Sequence, residues 1–146
     1  MEIFLKKFNS LTLEELYSVL RLRSEVFVVE QDCVYLDLDN KDQIALHVIG
    51  VSKGKVVAYT RIFKPGDYFD KFSIGRVVVD KNHRGKNYGK LIMNASINEI
   101  ERLTPQSTIK LSAQLYLEKF YNDLGFVQQG TPYLEDGIPH IAMFKN

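Results

Sequence analysis

The sequence has 146 residues and a formal net charge of +1, with 45% hydrophobic and 25% charged residues. That size and composition suit one compact domain, 1–146, with a core of its own. The near-neutral balance supplies no general field for nucleic acid or an anionic membrane, and no apolar run approaches the ~20 residues of a membrane helix.

Residues 1–7 carry no basic segment ahead of a long apolar stretch, so no secretory signal is expected. Cys33 is the only cysteine, which excludes an intrachain disulfide and fits a reducing, cytoplasmic location. Residues 2–8 read as an edge strand. Thr12 and Glu15 form a capping box, followed at helical spacing by Leu13, Leu16, Val19, Leu20 and Leu22. This helix is expected to reach Val28 or Glu30, and its mixed charged and apolar end is expected to face a cleft. Residues 32–43 form an acidic loop. Asp37, Asp39 and Asp42 alternate as in part of a calcium loop, but the glycine and terminal glutamate of that motif are absent. A solvated or substrate-facing loop is expected instead, and no metal.

Strands follow at 44–51 and 55–63, joined at Lys53-Gly54. A central strand at 72–80 carries the β-branched run Val77-Val78-Val79, as expected of a strand covered on both faces. A helix at 86–103 presents Leu91, Ile92, Ala95, Ile100 and Leu103, and Pro105 stops it. A strand at 108–113, a short helix at 115–124 ended by Gly125, and a pair at 126–129 and 138–144 around a loop 132–139 complete the chain. The order β-α-β-β-β-α-β-α-β-β predicts an α/β (α+β) fold on a mixed, mostly antiparallel sheet. The central strand and the one at 108–113 flank a helix, so they are expected to be parallel neighbours.

Between the central strand and its helix lies Arg84-Gly85-Lys86-Asn87-Tyr88-Gly89-Lys90. Free N–H groups, a helix N-terminus and the cations Arg84, Lys86 and Lys90 together suit a phosphate. With the preceding strand, this loop resembles the Arg/Gln-x-x-Gly-x-Gly/Ala element of the GNAT superfamily of acetyl-CoA-dependent N-acetyltransferases. Gly89 matches, while Asn87 stands for the middle glycine and tolerates left-handed backbone. The stretch from Gln114 to Phe126 resembles a second GNAT element, Asn-x-x-Ala-x-x-x-Tyr-x-x-x-Gly-Phe. There Tyr121, Gly125 and Phe126 match, and Gln114 and Leu117 depart. Segments 26–33, 74–79, 111–114 and 133–140 resemble the ElaA branch of the superfamily.

The resemblance implies acetyl-CoA as donor substrate. The loop Arg84, Gly85, Lys86, Asn87, Tyr88, Gly89 and Lys90 would hold its pyrophosphate. The backbone of Val77, Val78 and Val79 would pair with the pantetheine arm, and Gln114 would lie beside it. Tyr121 would be the general acid toward the leaving sulfur, with reference pKa values of ~10 for a phenol and ~8.5 for a thiol framing that transfer. An alkyl amine of pKa ~10.4 is neutral in only about one molecule in 2,500 at pH 7, so a base is needed. Glu30 and His140 are the first candidates, with His47, Glu135 and Asp136 behind them. Arg76 needs an acid partner such as Glu30, Asp32 or Asp37, or else contacts substrate. Cys33 reads as a small buried hydrophobe.

The function expected is acetyl transfer directly to the amine of a small molecule or peptide; the alternative is a CoA-binding module without turnover. Acids at 30, 32, 37, 39, 42, 135 and 136 would favour a cationic acceptor if they border one cleft. No nucleic acid or membrane partner is expected, and the final strand pair offers a possible homodimer interface.

Overall fold

The computed structural model describes residues 1–146 and contains one seven-stranded sheet. Its strands are β1 (Glu2–Lys7), β2 (Leu46–Ser52), β3 (Lys55–Phe63), β4 (Phe72–Val79), β5 (Ile109–Gln114), β6 (Val127–Glu135) and β7 (Ile138–Lys145). The helices are α1 (Leu13–Arg23), α2 (Tyr88–Leu103) and α3 (Glu118–Asn122), so the expected element order stands. The spatial order is β1-β2-β3-β4-β5-β7-β6, and every neighbouring pair is antiparallel except β4–β5.

Alternation along the strands splits the core between two faces. Ile49, Tyr59 and Val78 meet Val19, Leu22, Val26 and Phe27 from the first helix. Their neighbours Val48 and Ala58 face the other way and join Ile92, Met93 and Ile100 of α2 and Tyr121 of α3. No helix is long and apolar enough to cross a membrane.

Local chemistry accounts for most boundaries. The Thr12–Glu15 capping box is formed in both directions. Lys53 and Gly54 both have positive φ, 51° and 76°, as a two-residue hairpin turn requires. Four expectations need correcting. Leu13 is exposed, because the buried stripe of α1 begins at Val19. On α2, Leu91 and Leu103 are exposed and Met93 and Ser96 are buried; Ser96 Oγ lies 2.6 Å from Thr60 Oγ1. The end of the first helix, Ser24–Glu30, is wound as a π-helix. Finally, residues 132–135 are strand, not loop. Asp136 and Gly137 alone make the turn, both with positive φ, and the register shift between Gln129 and Tyr133 takes up Gly130-Thr131-Pro132 on an edge strand, where proline is tolerated.

The distortion that matters most lies in β4. Arg61 opposes Gly75 and Tyr59 opposes Val78, so Thr60 alone faces both Arg76 and Val77. This is a β-bulge, and Arg76 sits in it at φ 51°. A left-handed backbone costs a non-glycine residue about 1 kcal/mol or more, and such bulges bend a strand out of its ladder. β4 and β5 pair only at Phe72↔Ile109 and Ser73↔Lys110. Beyond that point they diverge and leave a gap in mid-sheet.

Candidate active site

A cavity of about 510 Å³ fills the gap between β4 and β5. The β5-facing edge of β4 along Arg76–Val79 has no strand partner, so it is an open ladder inside a protein that otherwise completes its sheet. Val77, Val78, Val79 and Gln114 all line the cavity, as do Arg84 and Gly89.

At one end lies the loop before α2. Gly85 (φ 81°) and Asn87 (φ 67°, ψ 17°) are both left-handed, so Asn87 keeps the path a glycine would give. The N–H groups of Gly85, Lys86 and Asn87 donate to nothing in the chain, and the first N–H groups of a helix are unpaired by construction. Unpaired donors therefore lie in the loop where the sequence places a phosphate. Lys86 and Lys90 are exposed beside them, and Tyr88 stacks on His83, which bonds Asp80 at 2.7 Å. Asn87→Gly is expected to leave stability unchanged within about 0.5 kcal/mol, whereas Asn87→Val should cost about 1–2 kcal/mol. Denaturant titration of the two variants checks this.

Arg84 spans the mouth. Nη1 and Nη2 hold the two Glu30 oxygens at 2.6 and 3.0 Å, and Nε and Nη2 also reach the Val79 carbonyl. Glu30 therefore faces the cleft, as expected of the helix end, with both oxygens engaged. Gln31 bonds Gln114 across the gap at 3.3 Å.

Tyr121 enters from the α3 side. The turn after α3 closes with Phe126 N–H on the Tyr121 carbonyl at 3.1 Å and with Gly125 at φ 96°. Phe120 and Phe126 pack edge-on against the Tyr121 ring. The Tyr121 side chain is buried, lines the cavity, and its hydroxyl has no hydrogen-bond partner in the chain. Burial pushes the phenol well above its ordinary value.

At the other end, the β6–β7 hairpin and residues 30–35 form the wall. Cys33 is buried with Sγ 3.3 Å from the Asp136 carbonyl, which ties the two segments. His140 is buried and lines the cavity, and its Nδ1 lies 2.7 Å from the Ile138 carbonyl. A carbonyl only accepts, so Nδ1 carries the proton and Nε2 is left free to act as an acceptor. His47 does not reach the site; it is buried between β2 and β3.

The acidic loop behaves differently from expectation. Asp37, Asp39 and Asp42 are neither solvated nor substrate-facing: they meet three arginines. Arg23 bonds Asp37 (2.9 Å) and Asp42 (2.8 Å); Arg61 bonds Asp42 (2.8 Å) and Asp39 (2.5 Å); Arg76 Nε contacts Asp37 at 2.8 Å. Arg76 thus has one of its expected partners while still lining the cleft. Burial disfavours the charged forms of Asp39 and Asp42. The guanidiniums of Arg61 on Asp39, and of Arg23 and Arg61 on Asp42, outweigh it and hold both carboxyls below the usual range. With Glu30 on Arg84, only Glu135 and Asp136 line the cleft as carboxylates without an arginine.

His47 extends the network. Its Nε2 donates to the Asp42 carbonyl at 2.8 Å, so Nδ1 accepts from Tyr59 OH at 2.6 Å, and burial lowers its pKa. As pH falls through ~6.5 the unfolded chain takes up this proton before the folded one does, so stability drops by at most about 1.4 kcal/mol per pH unit. The Asp39 and Asp42 contribution is full above ~3.9 and is lost below it, in the same direction. Urea denaturation at pH 7.5, 6.5 and 5.5 should show this decline, and His47→Gln should flatten it.

The model for an acetyltransferase (GNAT) domain matches residues 11–146. Protein ElaA of Escherichia coli K12 is 39% identical over 139 residues, covering 94% of this chain and 91% of its own. A UPF0039 protein of Synechocystis is 40% identical over 139 residues, covering 94% and 90%. Among solved structures, an acyl-CoA N-acyltransferase from Pseudomonas aeruginosa superposes with TM-score 0.93 at 38% identity over 100% of both chains. E. coli ElaA does so with TM-score 0.92 at 36% identity over 99% of both. The chain belongs to the GNAT acetyltransferase family, whose donor is an acyl-CoA, and the ElaA and UPF0039 proteins are its relatives there.

Proposed function

We propose that the protein transfers an acetyl group from acetyl-CoA directly to an amine. The observation that carries this is the open β4 edge, which runs from a cluster of free N–H donors to a cavity-facing tyrosine hydroxyl without a partner. Pantetheine carries amides spaced like a peptide, so an unpaired strand edge suits it as a β-augmenting ligand. The donors at 85–87 and the α2 N-terminus suit a pyrophosphate, for which Arg84 would exchange Glu30.

The chain's groups divide the reaction as follows. The amine nitrogen bonds to the thioester carbon while a β4 N–H supports the charge growing on the carbonyl oxygen. The amine proton passes to the free Nε2 of His140. Glu30 is the second candidate: Arg84 occupies both its oxygens in the free protein, and the carboxylate is released only when Arg84 turns to the pyrophosphate. As the C–S bond breaks, the sulfur takes the Tyr121 proton. Proton transfer from a phenol at ~10 to a free thiolate at ~8.5 is uphill. It therefore belongs to the bond-breaking step, where the burial that raises the phenol raises the leaving thiolate too. The phenol then recovers a proton from solvent after the products leave.

The test is release of free thiol from acetyl-CoA across a panel of primary amines. Turnover of at least one amine is expected. Calorimetric CoA binding with no acylation of any of them would leave a non-catalytic CoA-binding module. The departures at Asn87 and Gln114 motivate that reading; the left-handed φ of Asn87 leaves the loop path intact and weakens it. The acceptor is a small-molecule or peptide amine. The balance of charge around the cleft gives less support to a strongly cationic one than seven acids would, since four of them are paired with arginines.

A further inference from the structure

The free nitrogen of His140 does not face open cleft alone. Its Nε2 lies 3.3 Å from Glu135 Oε2. With Nδ1–H committed to the Ile138 carbonyl, the Nε2 lone pair stays open to the cleft, while a carboxylate oxygen stands beside it at ion-pair distance but outside hydrogen-bond geometry. The site is therefore tuned for the imidazolium that base catalysis creates.

Glu135 is itself held in place. Ser112 Oγ on β5 lies 3.3 Å from Glu135 Oε1, and Tyr133 OH lies 2.5 Å from Ser112 Oγ. This reads as a chain from Tyr133 O–H to Ser112 O–H to the carboxylate. The Tyr133 ring stacks on His140 at 6.3 Å and 21°. Alternation along β6 puts Tyr133 and Glu135 on one side, opposite His140 of β7, and β5 brings Ser112 alongside. Tyr133 and Glu135 thus meet at the His140 ring, and Ser112 bonds both of them.

We propose that Glu135, aligned by Ser112 and Tyr133, is the positioning carboxylate for His140, stabilising the ring after Nε2 takes the amine proton. The inference rests on the reading of His140 as the base. The proton moves from the amine nitrogen to Nε2, Glu135 stabilises the charged ring at ion-pair distance, and the proton leaves to solvent past the half-exposed carboxylate. No other co-reactant is needed. A base oriented by a third group is a recurring arrangement in catalysis.

A double-mutant cycle tests this. Glu135→Gln should lower kcat/KM for the amine about tenfold, and His140→Gln about a hundredfold. The double variant should match His140→Gln alone, and acyl-CoA affinity should be unchanged throughout. Ser112→Ala should give a smaller loss, absent in the Glu135→Gln background. Unchanged turnover in Glu135→Gln, or an additive loss in the double variant, would overturn the proposal. So would a rise in amine KM with kcat retained, which would make Glu135 an acceptor ligand instead.

A second readout needs no turnover. In the free protein, 15N spectra should show His140 with Nδ1 protonated, and Glu135→Gln should move the Nε2 resonance. An unmoved resonance would overturn the pairing. A moved resonance in a protein that acylates no amine would leave the pairing standing and remove the acyl-transfer reading.

Discussion

Tyr121→Phe lowers kcat for amine acylation at least tenfold and leaves acyl-CoA affinity almost unchanged. The substitution deletes one oxygen and keeps the ring, so the contacts with Phe120 and Phe126 persist. Removing a hydroxyl usually costs stability through a lost partner, but this one opens into the cavity and has no partner in the chain. Folding should therefore be indifferent or slightly improved, and only the proton donor is lost. General acids contribute roughly 10²–10⁴ to rate, so a tenfold loss is a lower bound, since solvent protonates the sulfur in their place. Stopped assays of kcat beside calorimetric Kd for CoA separate the two effects. An unchanged kcat would take Tyr121 out of the mechanism.

Asp42→Ala destabilises the fold by about 3–5 kcal/mol. Asp42 Oδ1 accepts from Arg23 and Arg61 together, and both guanidiniums are almost fully buried. Deleting one member of a buried ion network leaves uncompensated charge, which costs far more than the network contributes against a well-packed apolar substitute. The change also removes one tie of the segment 37–42 to α1 and one to β3, leaving Asp37 on Arg23 and Asp39 on Arg61. Guanidinium denaturation should show a lower midpoint with a similar slope. Asp42→Asn, which keeps the shape and one acceptor, should fall between wild type and alanine. A loss under 1 kcal/mol in Asp42→Ala would mean that the network is dispensable.

Much of this was legible in the chain. Thr12 with Glu15, Lys53-Gly54 and Gly125-Phe126 carry their turns and caps in local chemistry, and each formed where expected. The loop 84–90 was legible too, because donors, cations and left-handed positions follow one another in sequence. The networks were not. Arg23 sits on the buried stripe of α1 and Arg61 inside β3, and neither spacing nor composition pairs them with acids 14 to 22 residues away. Their signal was a charge at a core position, which implies a partner. The bulge at Arg76 has a local mark in Gly75, an isolated glycine inside a strand pattern, but the left-handed strain at Arg76 is held by ion pairs with Asp37 and Asp39 that no local segment encodes. The Asp136-Gly137 turn was announced, because Asp-Gly between extended runs is a strong hairpin signal, but Pro132 masked it. The convergence of Ser112, Tyr133, Glu135 and His140 depends on strand register, which no single segment encodes.

The most direct test of the central claim is a crystal structure with CoA bound. The pantetheine amides should pair with the backbone of Val77–Val79, the pyrophosphate should sit on the N–H groups of 85–89 with Arg84 released from Glu30, and the sulfur should lie within hydrogen-bond reach of Tyr121 OH. CoA bound outside the β4–β5 gap, or with its sulfur remote from Tyr121, would contradict the account.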